Sequence, residues 1–325
     1  MTRSHSRGSG RRGPVAAAAF LVLVLVVGTL TWWFLKAGTS PASRAAAGAS
    51  PSPGSSPEAG RAAGSVPHVM IIVEENHSFD QVIGNRDMPF FNRLARTYGL
   101  ATNYAGVSHP SEPNYLAMVS GSIWDNPQDR TPQEGSYPGP TLVDQLAARG
   151  VAWRAYLEDM PRACDVTDTY GPGGYDVNHN PFLYFRSIRG TPAQCAHDVP
   201  FSQFAGDLRA GSAAPFIFVA PNLTHDMHDG TPAQADAWLS EQFAAIFAST
   251  WYRQGGVVVV TSDEGETTDR VATVVVSEVD RGVAPLTSRA NHYALLRAVE
   301  KLYGLPLLGS AADAGNGDLT PLLRQ

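Results

Sequence analysis

Residues 68–74, HVMIIVE, form an unbroken apolar run of strand length that stops on an acid, and Glu75 and Asn76 follow at once. A strand that is apolar at every position has to be covered on both faces, which is the situation of a parallel sheet lying between helices. In open sheets of that kind the carboxyl ends of the strands are where ligands and catalytic groups gather. The polar pair after this strand is therefore a candidate for function, although an acid and an amide at such a place also serve as an ordinary helix cap.

The same pattern repeats along the chain. PFFNRLARTYG (89–99) has the spacing of a helix and ATNYAGV (101–107) that of a short strand; TLVDQLAARG (141–150) reads as a helix leading into VAWRAYLED (151–159), a strand that ends on Glu158 and Asp159. PFIFVAPN (215–222) is a strand opening onto Asn222, His225, Asp226, His228 and Asp229, and a helix is expected over about 232–249. GGVVVVTSDEGE (255–266) delivers Asp263 and Glu264, VATVVVS (271–277) is a further strand, and NHYALLRAVEKLYG (291–304) is an amphipathic helix with His292 at its start. Strands alternating with helices predict an α/β fold, a doubly wound and mostly parallel sheet sandwiched by helices. Residues 160–212 lack clear periodicity and are expected to be an irregular cap insertion over the site.

Between the second strand and the next helix runs SHPSEPNYLAMVSG (108–121). Pro113 suits a first helical turn, because it has no N–H to leave unpaired, and this sets Ser111 at or just before a helix N-terminus. Ser111 there is either an N-cap or a nucleophile. The amide of Asn114 and the free helix N–H groups would together cradle an anion, as a phosphate under attack requires.

The front of the chain is different in kind. Residues 15–35 are an uncharged apolar run long enough to span a bilayer, preceded by Arg3, Arg7, Arg11 and Arg12 and ending near Trp32 and Trp33. The positive-inside rule then assigns residues 1–14 to the cytoplasm, 15–36 to a single transmembrane signal anchor, and the remainder to the extracytoplasmic side. A cleaved signal peptide is the alternative and would make the protein secreted. Residues 37–65, rich in Ala, Gly, Ser and Pro, read as a disordered linker to a domain over 66–325. That domain carries 17 basic against 29 acidic groups, a formal charge of −12. Such a balance argues against nucleic acid and anionic membrane surfaces as partners, and no protein partner is indicated. The 2 cysteines, Cys164 and Cys195, lie in the exported part, where a disulfide is expected over two free thiols.

EENHSFDQVIGN (74–85), HPSEPNYLAMVSG (109–121), PNLTHDMHDG (221–230), TSDEGE (261–266) and NHYALLRAVEKLYGLP (291–306) occur in an order that resembles the bacterial phosphoesterase family of secreted acid phosphatases and phospholipases C, within the alkaline phosphatase superfamily. The resemblance implies an alkaline phosphatase-like fold and a metal-dependent phosphomonoesterase acting through a phosphoserine, with Ser111 as nucleophile. Phospholipase C or another phosphodiesterase is the neighbouring alternative, and a non-catalytic phosphate-binding surface protein is the alternative of another class. By the same resemblance Glu75, Asn76, Asp263 and Glu264 match metal positions, Asn114 holds a phosphate oxygen, and His228 and His292 fall where the superfamily has either second-metal ligands or, the preferred reading, histidines that bind phosphate and donate protons. His179 in YDVNHNPFLYF (175–185) matches a recurrent substrate-binding histidine, with Asn178 before it where relatives tend to carry Lys. His225 stands outside the shared pattern.

The chemistry asks for such a set. A serine hydroxyl is a weak nucleophile near neutrality and a phosphate repels what approaches it, and a bound cation addresses both. Oxygen ligands favour Mg²⁺, Ca²⁺ or Mn²⁺ over zinc. The implied substrate is a phosphorylated small molecule or lipid. Among the neighbours, His109 and Glu112 are expected to shape the loop, His77 to orient Asn76 or cap a turn, and Asp80 and Gly84 to build a turn.

Overall fold

The computed structural model describes residues 66–126, 128–133, 136–167 and 174–324. The expected anchor and linker lie outside these residues, and among the described ones no helix is long and apolar enough to cross a membrane.

Eight strands form one sheet. They are β1 (Val69–Glu74), β2 (Gly99–Ala105), β3 (Trp153–Leu157), β4 (Asp198–Pro200), β5 (Phe216–Ala220), β6 (Val257–Ser262), β7 (Arg270–Val276) and β8 (Ala290–Asn291), in the order β4-β3-β5-β1-β6-β7-β2-β8. Every pairing is parallel except the two made by β7. The predicted doubly wound, mostly parallel sheet is thus present.

Alternation along β1 divides the core in two. Val69, Ile71 and Val73 pack with Tyr115, Leu116, Leu142, Leu295 and Val299, from helices Ser111–Ser120, Leu142–Ala148 and His292–Tyr303. Met70 and Ile72 pack on the other face with Phe91, Leu94, Leu239, Phe243 and Ile246, from helices Pro89–Thr97 and Pro232–Ala248. The helices start where their sequences provide caps. Thr141 accepts from the backbone of Asp144 and Thr231 from that of Gln234, and Asn291 accepts from the N–H groups of Tyr293 and Ala294.

The cap expectation is corrected at one end. Residues 198–200 add β4 to the sheet edge beside β3, and Phe204–Ala210 is a helix whose Phe204 and Leu208 join the second core face. A strand of three residues is too short to show a period, so the sequence pattern could not reveal it. The irregular part is the stretch before it, which is closed by the Cys164–Cys195 disulfide, with Cα atoms 5.3 Å apart across a separation of 31 residues. By loop entropy such a bridge contributes about 3–4 kcal/mol.

Candidate active site

Pro110 occupies the N-cap position and Ser111 is the first residue of its helix, so Ser111 does not cap it. Its hydroxyl donates instead to Glu75 Oε1 at 2.5 Å. Glu75 follows the last residue of the central strand and lies on the same side as Val73, facing the Ser111 helix, while Glu74 before it turns to the opposite face. Glu75 is fully buried, and its Oε2 has no hydrogen-bond partner. Burial, then the charges of Asp263 and Asp226, push its carboxyl well above the usual range, against the pull of the Ser111 hydrogen bond.

Asn76 turns the chain sharply. Its φ of 53° is left-handed, a region that Asn enters more readily than most residues. The turn aims its N–H at Asp263 Oδ1, 3.5 Å away, and its carbonyl accepts from the Glu266 N–H. Asn76 thus reaches Asp263 through its backbone. Asp263 follows β6, is fully buried, and leaves Oδ2 without a partner. Gly106 is required beside it, because a Cβ there would lie 2.9 Å from the Asp263 carbonyl oxygen.

On one flank, His179 stacks on Tyr115, with ring centroids 4.9 Å apart and planes within 11°. Its Nδ1 lies 3.3 Å from Asp226 Oδ2 and its Nε2 lies 3.5 Å from Glu75 Oε2. Burial opposes a charge on this ring, but the adjoining acids, Asp226 foremost, outweigh it and raise His179 to about 9. His228 stands at the rim, where its backbone N–H donates to Asp226 Oδ1 and its ring is paired with Asp229.

On the other flank, Glu264 Oε2 meets His109 Nδ1 at 2.8 Å and Asn114 Nδ2 at 3.4 Å. Burial and the Asp263 charge raise Glu264 to about 7, with His109 pulling the other way. Asn114 departs from its expected role. Its Oδ1 accepts from the N–H groups of Val107 and Ser108, and its Nδ2 donates to the carbonyls of Ser108 and Pro110. The amide is used to fold the loop that presents Ser111. His292 departs likewise, since its Nε2 is bonded to the Asp263 carbonyl and its Nδ1 to the Tyr104 hydroxyl at 3.0 Å. Both ring nitrogens are engaged, and burial lowers the ring to about 4. A proton-donating role is not what this arrangement offers; His292 holds the backbone of Asp263.

The structure thus brings Ser111, Glu75, Asp263 and His179 together, with Glu264 and Asn114 adjoining, His292 behind and His228 at the rim. Asp226 was marked in the sequence as a polar residue after its strand but given no role, and Tyr115 was not marked. Tyr115 lies four residues after Ser111, one turn along the same helical face, and that spacing was the available signal. Glu112, expected to shape the loop, does so by accepting from the Arg130 N–H at 2.5 Å and the Tyr137 hydroxyl at 3.3 Å. Its own N–H, at the helix start, donates to Asp129.

Among the described residues no three His, Cys, Asp or Glu side chains stand grouped closely enough to hold a metal ion. The donor chemistry nevertheless suits a hard cation, since Asp263 Oδ2 is a buried oxygen without a hydrogen-bond partner and Glu75 Oε2 beside it has only the His179 ring, 3.5 Å away.

Residues 84–306 match the family model described as Phosphoesterase family. The chain is 34% identical over 266 residues to the phosphatidylinositol-3-phosphatase of Mycobacterium tuberculosis, covering 80% of this chain and 86% of that one. It is 29% identical over 245 residues to the phosphate-repressible acid phosphatase of Penicillium chrysogenum, covering 72% of this chain and 58% of the fungal protein. Among solved structures, a lipoteichoic acid synthase from Listeria monocytogenes superimposes with a TM-score of 0.55 at 10% identity, covering 79% and 77% of the two chains. A protein of the alkaline phosphatase superfamily from Vibrio parahaemolyticus gives 0.51 at 12% identity, covering 74% and 67%. The two structures speak to the fold alone.

Proposed function

The chain belongs to the phosphoesterase family and is a phosphoric ester hydrolase, and on that premise we propose that it is a metal-dependent phosphomonoesterase of the acid phosphatase kind, with Ser111 as its nucleophile. The observation that carries the reading is the hydrogen bond from Ser111 to the buried Glu75 at the end of the central strand. A serine used only as a cap would turn its oxygen to the helix N–H groups.

Glu75 and Asp263 are the residues that would hold a divalent cation, with Asn76 and Glu264 as the further oxygen donors that the resemblance implies. Such a cation, when bound, would lower the hydroxyl pKa and screen phosphate charge. The Ser111 oxygen then bonds to phosphorus as the ester oxygen leaves with a proton. Water later cleaves the phosphoserine, returning the hydroxyl and inorganic phosphate. His179 supports this by setting a buried positive charge beside Glu75. His228, at the rim with a third of its side chain exposed, is the residue we assign the proton to the leaving group. The disulfide agrees with an oxidising compartment, and with the apolar N-terminal run it supports an extracytoplasmic domain tethered to the membrane.

The test is phosphate release from p-nitrophenyl phosphate by the full chain, with and without chelator. Ser111→Ala should lose at least about 10³-fold in kcat, and chelation should abolish turnover in the wild type. Undiminished turnover in Ser111→Ala would sink the assignment. Faster release from p-nitrophenylphosphorylcholine than from the monoester would move the protein to the phosphodiesterases.

A further inference from the structure

The loop that leads to the nucleophile also walls a second pocket. Gly106, Val107, Ser108 and His109 line one side of a cavity of about 470 Å³, and Asp269, Arg289, Asn291, Tyr293 and Asn316 line the rest. It lies at the same edge of the sheet as Ser111, where β2 and β8 end and β7 begins. Two residues of chain reach no more than about 7 Å, so the backbone at Ser111 lies within that distance of the backbone at His109 in the pocket wall.

The lining is polar, and most of its polar groups are committed. Asn291 caps a helix and donates to Asn316. His109 is held between Glu264 and Asp269, both ring nitrogens engaged, so it serves as a wall and offsets acid charge. Arg289 is the exception. It is exposed, and among the described residues its guanidinium has neither hydrogen bond nor ion pair. In a domain with a formal charge of −12, an uncommitted guanidinium facing a cavity beside the nucleophile has an evident use. Its planar set of donors matches the oxygens of a phosphate or a carboxylate.

We propose that this pocket is a subsite for a second anionic group, a phosphate or carboxylate carried on the leaving group of the substrate, and that Arg289 is the specificity-determining residue that binds it. The preferred substrates are then phosphate esters bearing a second negative charge on the leaving group. This rests on the monoesterase reading above.

The experiment compares the full-length wild type with Arg289→Gln and Arg289→Lys. The substrates are phenyl phosphate and 4-carboxyphenyl phosphate, and the two corresponding phosphonates serve as ligands that cannot be hydrolysed. Arg289→Gln should lower kcat/KM for 4-carboxyphenyl phosphate, and weaken binding of its phosphonate, about tenfold while leaving both phenyl compounds unchanged. Arg289→Lys should recover part of the loss. The ratio of variant to wild type removes any difference between the leaving groups. Equal effects on both compounds, no effect on either, or no binding of the phosphonates by the wild type would each overturn the subsite. Discriminating phosphonate binding without turnover of either ester would overturn the monoesterase reading and leave the subsite standing.

Discussion

The strands that flank β1 each end beside a buried histidine. Next to β5 the ring belongs to His179, from the irregular segment between β3 and β4, and it lies against the side chain of Asp226. Next to β6 the ring belongs to His292, the first residue of its helix, and it lies against the carbonyl of Asp263 and the hydroxyl of Tyr104. Both are at most 3% exposed. Burial acts on them in the same direction, yet one is raised to about 9 and the other lowered to about 4. The partner decides: a carboxylate supplies opposite charge, whereas a carbonyl and a phenol supply only dipoles. One ring is therefore held as a cation between two carboxylates and the other is held neutral, bracing the backbone of Asp263.

Removing the counter-charge should break the contrast with the largest effect. Asp226→Asn keeps the acceptor for the His228 N–H and deletes the anion beside His179. A buried charge left without its partner destabilises by about 3–5 kcal/mol, unless the ring gives up its proton. The ring should take the second course, its NMR titration falling from about 9 to below the ordinary imidazole value, and urea unfolding at pH 7 should then show a loss no greater than about 3 kcal/mol, the lower end of that range. An unchanged titration would mean that Asp226 is not what charges the ring.

The pH dependence of stability sharpens the contrast next. With chelator present, His292 favours folding above the unfolded pKa of about 6.5, and that contribution is lost as pH falls towards 4, because the unfolded chain takes up a proton that the folded one refuses. The loss is about 3 kcal/mol. His179 has the opposite sign, with its contribution full below about 6.5 and lost as pH rises through 9. His292→Gln should flatten the acid limb and leave the alkaline limb intact. A variant whose acid limb matches that of the wild type would place the acid sensitivity elsewhere.

This contrast was out of reach of the sequence, although both histidines were marked there. What the sequence does carry is periodicity and strand endings. Continuous apolar runs announced β1, β5 and β6, and the polar residues after them announced Glu75, Asp226 and Asp263, because a sheet covered on both faces leaves few other places for such groups. The direction of β7 was not legible, since a fully buried strand reads the same whether it runs parallel or antiparallel. Nor was β4, at three residues, or β8, at two. The uses made of Asn114 and His292 were hidden for another reason. Whether an amide or imidazole faces substrate or backbone is decided by a few ångströms of loop path, and residue type and spacing do not record that path.

The smallest effect asks whether the helix that begins at His292 is hostile to charge in general or only at His292. Glu300 lies eight residues along the same helix, fully buried, with one oxygen accepting from the Leu308 N–H at 2.9 Å and the other without a partner. Burial raises its carboxyl to about 8, against the pull of that N–H and of Arg297. Between about 4.5 and 8 the folded chain holds a proton that the unfolded chain releases, so this contribution is full at low pH and disappears as pH rises through 8. Glu300→Gln keeps an acceptor for Leu308 and has no proton to lose. It should be more stable than the wild type by about 1–2 kcal/mol at pH 9, and level with it at pH 4.5, in paired thermal unfolding curves. Equal stability at both pH values would show that the helix tolerates an ionised Glu300, and the low pKa of His292 would then have to come from its own two contacts, Tyr104 and the Asp263 carbonyl, and not from the burial of the whole helix.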